Sequence, residues 1–139
     1  MRLLGIDFGF KRIGVAVVES EIGIVSTRPS MTASGTLKND ALEISKLARR
    51  EGANAVILGL PVEESGDEGR MARICRTLAE NIVGNGLPVH LVDESMTSVQ
   101  ADDSLREGGL KASQRRKLRD GESAALILER YLNDQATQK

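Results

Sequence analysis

Two short apolar stretches open the chain, Leu3 to Asp7 and Ile13 to Glu19, separated by Phe8-Gly9-Phe10-Lys11-Arg12. Runs of this length, rich in β-branched residues and split by a glycine-containing connection, predict a β-hairpin. Ile22 to Arg28 predicts a third strand, weakened by Gly23, and so an antiparallel three-stranded meander. From about Asn39 the period lengthens, and Leu42, Ile44, Leu47 and Ala48 fall on one face of a helix that Gly52 closes. Ala55 to Leu60 is a continuous apolar run, as in a strand buried on both faces. A helix between two strands implies a right-handed crossover to a parallel neighbour. Met71, Ile74, Leu78 and Ile82 mark a second helix ended by Gly84-Asn85-Gly86, and Val89 to Val92 a fifth strand. Thr97-Ser98-Val99-Gln100 has the spacing of a capping box, predicting a helix from about Ser98 to Glu107 that Gly108-Gly109 stops. A last helix is expected through Ala124 to Leu132, and the polar stretch 134–139 is expected to fray.

The pattern predicts an α/β fold, a mixed five-stranded sheet flanked by helices, in one domain spanning 1–139, a length that suits a single core. With only Phe8, Phe10 and Tyr131 as aromatics, that core must be aliphatic. Cys75, the single cysteine, sits among Met71, Ile74 and Leu78 and reads as a buried, inert thiol. The start of the chain meets charge and glycine too early for a secretory leader, and no run approaches about 18 apolar residues. A cytoplasmic protein with no membrane partner is expected. Nineteen basic residues against twenty acidic ones give a net charge of −1, so a nucleic-acid site would have to be a local patch.

Carboxylates at three places stand where the pattern gives them no packing role. Asp7 ends the first strand, Asp93 and Glu94 follow the fifth, and Asp120 precedes Ser123-Ala124-Ala125, small enough for a helix to lie close to the sheet. Ligands of open α/β sheets bind in the crevice beyond the strand ends. Converging carboxylates raise one another's pKa unless a cation sits among them, and hard oxygen donors suit Mg²⁺, with Mn²⁺ accepting the same set. Two such ions can activate a water and stabilise a leaving oxygen at a phosphodiester. The residues alone also fit blander roles: Asp7 in a turn, Glu94 on a solvated surface or in a helix first turn, Asp120 as a helix cap.

The ordered set Gly5-Ile6-Asp7-Phe8-Gly9 with Arg12, Gly14-Val15-Ala16-Val17, Gly59-Leu60-Pro61, Gly66-Asp67-Glu68-Gly69, Asp93-Glu94 with Thr97 and Ser98, and Asp120 with Ser123 to Leu128 and Tyr131-Leu132 resembles the YqgF/RuvX family. The likeness runs nearly end to end. It implies a ribonuclease H-like fold, similar to that of the Holliday-junction resolvase RuvC, and an acidic site of Asp7, Glu94 and Asp120 with Asp7 central to the metals. It further implies a nuclease acting in 5′-end maturation of pre-16S ribosomal RNA, in contact with ribosomal particles, or, second, a resolvase of four-way DNA junctions. Ser95 stands where an arginine commonly follows the acidic pair, and Ser98 where a second threonine is usual.

Lys111, Arg115, Arg116, Lys117 and Arg119 form the dense basic stretch, expected to contact phosphates or to be a solvated helix face. Lys11, Arg12 and Thr97 are the other candidate substrate contacts. The acidic segment Pro61 to Gly69 is expected to be a mobile loop over the crevice, and His90 to lie on the face opposite Val89 and Leu91. Two rival functions remain. The Asp7-Phe8-Gly9 and Gly14-Val15-Ala16-Val17 pattern also resembles the first phosphate loop of actin-like ATPases and sugar kinases, which need a second lobe and a second such loop. A non-catalytic RNA-binding factor of ribosome assembly is the other, kept open by Ser95. Monomer or dimer is left open.

Overall fold

The computed structural model describes residues 1–62, 68–94 and 112–137, with side chains over 120–136 of the last stretch. The predicted helix 98–107, its capping box, Ser95, Thr97, Lys111 and the centre of the acidic loop lie outside the described residues. The elements run β1 (Arg2–Phe8), β2 (Arg12–Glu19), β3 (Val25–Thr32), α1 (Leu37–Arg50), β4 (Ala55–Leu60), α2 (Arg70–Gly84), β5 (Val89–Asp93) and α3 (Ala112–Thr137). One sheet of order β3-β2-β1-β4-β5 holds all five strands. β1 pairs antiparallel with β2, and β2 with β3. On its other side β1 pairs parallel with β4, and β4 with β5. This is the mixed sheet the sequence predicts.

Helices cover both faces, so the central strands are apolar in nearly every position. On one face Leu4, Ile6, Val15, Val56 and Leu58 pack against Ala41, Ile44 and Ala48 of α1 and Cys75, Leu78 and Ile82 of α2. On the other, Leu3, Ala16, Val18, Ala55 and Ile57 meet Ala124, Ala125, Ile127 and Leu128 of α3. α1 ends with Gly52 at φ +70°, the left-handed turn that favours glycine beyond a helix C-cap.

Three expectations are corrected. β3 begins three residues later than predicted, because Ile22 and Gly23 donate their N–H groups to the Glu19 carbonyl and form the turn. Ile22 and Ile24 are left 69% and 71% exposed. The strand continues instead through polar residues and Pro29, where the register against Ile13 and Val15 shifts, a bulge that an outer strand tolerates. Leu42 is exposed, and Ala41 takes its place on the buried face of α1 with Ile44 and Ala48. The last helix starts twelve residues before Ala124, so Asp120 lies inside α3 and the basic residues Arg115, Arg116, Lys117 and Arg119 ride on its first turns.

Candidate active site

Because β1, β4 and β5 are parallel, their C-terminal ends open onto one side of the sheet. β1 is the strand where pairing changes from parallel to antiparallel, the switch point beside which open α/β sheets bind ligands. Asp7 sits there, opposite Gly14 in the register. Glu94 follows β5 and donates its backbone N–H to the Leu60 carbonyl at 3.2 Å. Asp7, Glu94 and Asp120 all line one open cavity of about 330 Å³, together with Phe8, Gly9, Arg12, Pro61, Val62 and Met71.

Missing side chains on the sheet create this closeness. A Cβ on Gly14 would stand 1.9 Å from the Asp120 carbonyl oxygen, and one on Gly5 would stand 2.9 Å from the Ala124 carbonyl. At Gly59 a Cβ would meet Glu94 Oε2 at 2.6 Å and Ile127 Cδ1 at 2.5 Å. The glycines of β1 and β2 therefore let α3 descend onto the sheet, while that of β4 makes room for the Glu94 carboxylate. Sequence reasoning found the small residues of α3 and missed their partners on the strands.

Glu94 is only 8% exposed. Burial pushes its carboxyl well above the ordinary 4.5, and a hydrogen bond with Asp7 and the charges of Asp7 and Asp93 add to the shift. Asp7 and Glu94 thus share a proton-hungry site. Asp120 reaches the cavity with a different partner, since Arg12 Nε donates to its Oδ2 at 2.5 Å. Arg12, a candidate for a phosphate contact or for a solvated turn, is thereby engaged by a carboxylate. Among the described residues no group of three or more Asp, Glu, His or Cys side chains is arranged to hold a metal ion. The three carboxylates meet in one crevice as a close pair plus a third held by arginine.

The remaining candidates fall as follows. Lys11 is exposed in the β1–β2 turn beside the cavity. Cys75 is fully buried, and its thiol is pushed up to about 12 by burial, with Glu94 and Asp7 adding to it, so it is inert. His90 is exposed and stacks at a tilt on Tyr131, ring centroids 5.4 Å apart, on the face opposite Val89 and Leu91. No helix among the described residues is long and apolar enough to cross a membrane.

A mixed sheet with helices on both faces and carboxylates gathered at its strand ends has the ribonuclease H-like fold of the RuvC structures it superposes on. T. thermophilus RuvC, solved in complex with a Holliday junction substrate, superposes with a TM-score of 0.58 at 17% identity, over 98% of this chain and 96% of that one. The chain belongs to the RuvX family, whose model, described as Holliday junction resolvase, matches residues 1–134. A relative from Endomicrobium trichonymphae, provisionally named a pre-16S rRNA nuclease, is 35% identical over 99% of both chains. One from Anaeromyxobacter dehalogenans with the same name is 36% identical over 98% of this chain and 99% of its own.

Proposed function

We propose that this chain is a divalent-metal-dependent nuclease that hydrolyses phosphodiester bonds in the 5′-end maturation of pre-16S rRNA, in the cytoplasm. The observation that carries the reading is the close pairing of half-buried Asp7 with buried Glu94 at the strand ends, with Asp120 in the same crevice. The names of full-length relatives supply the RNA substrate. The family description favours a second reading, cleavage of four-way DNA junctions by the same site.

The donor set fits Mg²⁺ or Mn²⁺: two carboxyls crowded in a low-dielectric place gain from a cation between them, and all donors are hard oxygens. Bound there, the cation would supply the Lewis acidity that activates water and steadies the departing oxygen. Asp7 and Glu94 would hold it. Asp120 would join them by exchanging its ion pair with Arg12 for the cation. Arg12 would then be released to meet a substrate phosphate.

Incubating the protein with a 16S precursor fragment and with a four-way junction, each in Mg²⁺, Mn²⁺ or EDTA, tests the reading. Metal-dependent cutting of the precursor is expected. Cutting of the junction alone moves the substrate to DNA, and RNA binding with neither substrate cut makes the chain a non-catalytic assembly factor.

Two further outcomes follow from the charges. Above the ordinary 4.5 of a glutamate the native protein holds a proton on Glu94 that the unfolded chain has released, so metal-free stability falls as pH rises from there towards about 10. The metal-free Tm should therefore drop between about pH 5 and pH 9, and Glu94→Gln should flatten that drop. Mg²⁺ should raise the wild-type Tm more at high pH than at low, and should lose most of this effect on Glu94→Gln. A Tm indifferent to Mg²⁺ at every pH removes Glu94 as a metal holder. Separately, Arg115→Glu with Arg116→Glu should weaken nucleic-acid binding and lower its salt dependence by about two phosphate contacts. An unchanged salt slope returns that face of α3 to solvent.

A further inference from the structure

We propose that Phe10 is a base-stacking residue that selects an unpaired nucleotide next to the phosphodiester being cut. The inference deepens the nuclease reading and rests on it for the identity of the crevice's substrate. Phe10 is 65% exposed, in a chain with two phenylalanines and one tyrosine. Gly9, next to it in the chain, and Arg12, two residues on, line the crevice with Asp7, Glu94 and Asp120. An isolated exposed aliphatic residue is ordinary on a protein surface. A large exposed aromatic in the turn between Gly9 and Arg12, which line an acidic crevice, and next to exposed Lys11, combines a π-face with a cation, which is what single-stranded nucleic acid is held by.

The ring is displayed by a braced turn. A Cβ at Gly9 would come within 2.7 Å of the Arg12 carbonyl, so the connection is tight, and Lys11 accepts a backbone hydrogen bond from Ala33 at 3.0 Å that ties it to the chain after β3. Phe10 meets buried Phe8 edge to face, with centroids 6.4 Å apart and planes at 73°, and most of the ring stays in solvent. A base within a continuous duplex has both faces covered by its neighbours. A ring at this place can stack only on a base that has left the stack, at an end, bulge or single strand.

The test reads binding apart from cleavage, in EDTA, by anisotropy of labelled oligonucleotides of about 12 nucleotides as single-stranded RNA, single-stranded DNA and duplex RNA. Phe10→Ala should weaken binding of both single strands about 5- to 100-fold and of the duplex by less than about twofold. Phe10→Leu, apolar without a π-face, should behave like Phe10→Ala. Because the chain has no tryptophan, Phe10→Trp introduces its single indole, whose fluorescence single strands should quench. Wild-type affinity in Phe10→Ala, equal losses on single strand and duplex, a loss confined to one sugar, or no binding of single strands by wild type would each overturn the proposal. Phe10-dependent binding by a protein that cuts nothing in Mg²⁺ leaves the stacking role standing and sinks the nuclease reading instead.

Discussion

Asp7→Asn is expected to abolish metal-dependent cleavage, by on the order of 10³-fold or more in kcat/KM, with the fold intact. Metal ions contribute several kcal/mol to stabilising the charge of a hydrolytic transition state, and each 1.36 kcal/mol is about tenfold in rate. Asn keeps the shape of Asp and leaves the backbone pairing of residue 7 with Gly14 untouched. It removes one of the two negative groups that press on Glu94. Metal-free thermal stability should therefore be equal to wild type or higher, while the Mg²⁺-dependent rise in Tm disappears. The two readouts separate a lost ligand from a lost fold. Cleavage at the wild-type rate with the Mg²⁺ effect on Tm retained excludes Asp7 from the site, whereas the same rate with that effect lost exposes a contaminating nuclease.

Local pattern carried the sheet and left the long-range contacts hidden. Ala55–Leu60 is bounded as its apolar run predicts, because a strand buried on both faces writes its limits into the sequence. β3 is displaced because an outer strand has no such duty, so its apolar and polar residues do not alternate cleanly. Glycine costs a helix interior up to about 1 kcal/mol, so Gly121 obscures the boundary of the last helix in the sequence. In the fold it stays inside α3, where a Cβ would stand 3.2 Å from Thr27 Cβ; the glycine serves the approach of the helix to β3. The ion pair of Arg12 with Asp120 joins residues 108 apart in sequence, and no periodicity reports it. Asp7 and Glu94 stand out as candidates in the sequence, because a charge at the end of an apolar strand has no packing reason to be there.

Gly14→Ala is expected to cost stability and activity together. Alanine in a strand ordinarily gains about 0.4–1 kcal/mol over glycine by restricting the unfolded chain. Here its methyl group would lie 1.9 Å from the Asp120 carbonyl oxygen and 2.6 Å from its carbon, atoms of a helix backbone with no rotamer to escape into. Overpacking of a core typically costs 1–3 kcal/mol, occasionally more, and this contact belongs at the top of that range, about 3 kcal/mol or a Tm lower by roughly 10 °C. The relief open to the protein is to lift α3 from β2, which carries Asp120 out of the crevice. Gly59→Ala makes the comparison decisive, because its methyl would meet the ends of side chains, Ile127 Cδ1 and the Glu94 carboxyl, which can swing aside. That variant should keep more of its stability yet lose cleavage, since the group that swings aside is a proposed metal holder. A Gly14→Ala protein with the wild-type Tm would mean that α3 does not lie this close to the sheet, and the placement of Asp120 beside Asp7 and Glu94 would go with it.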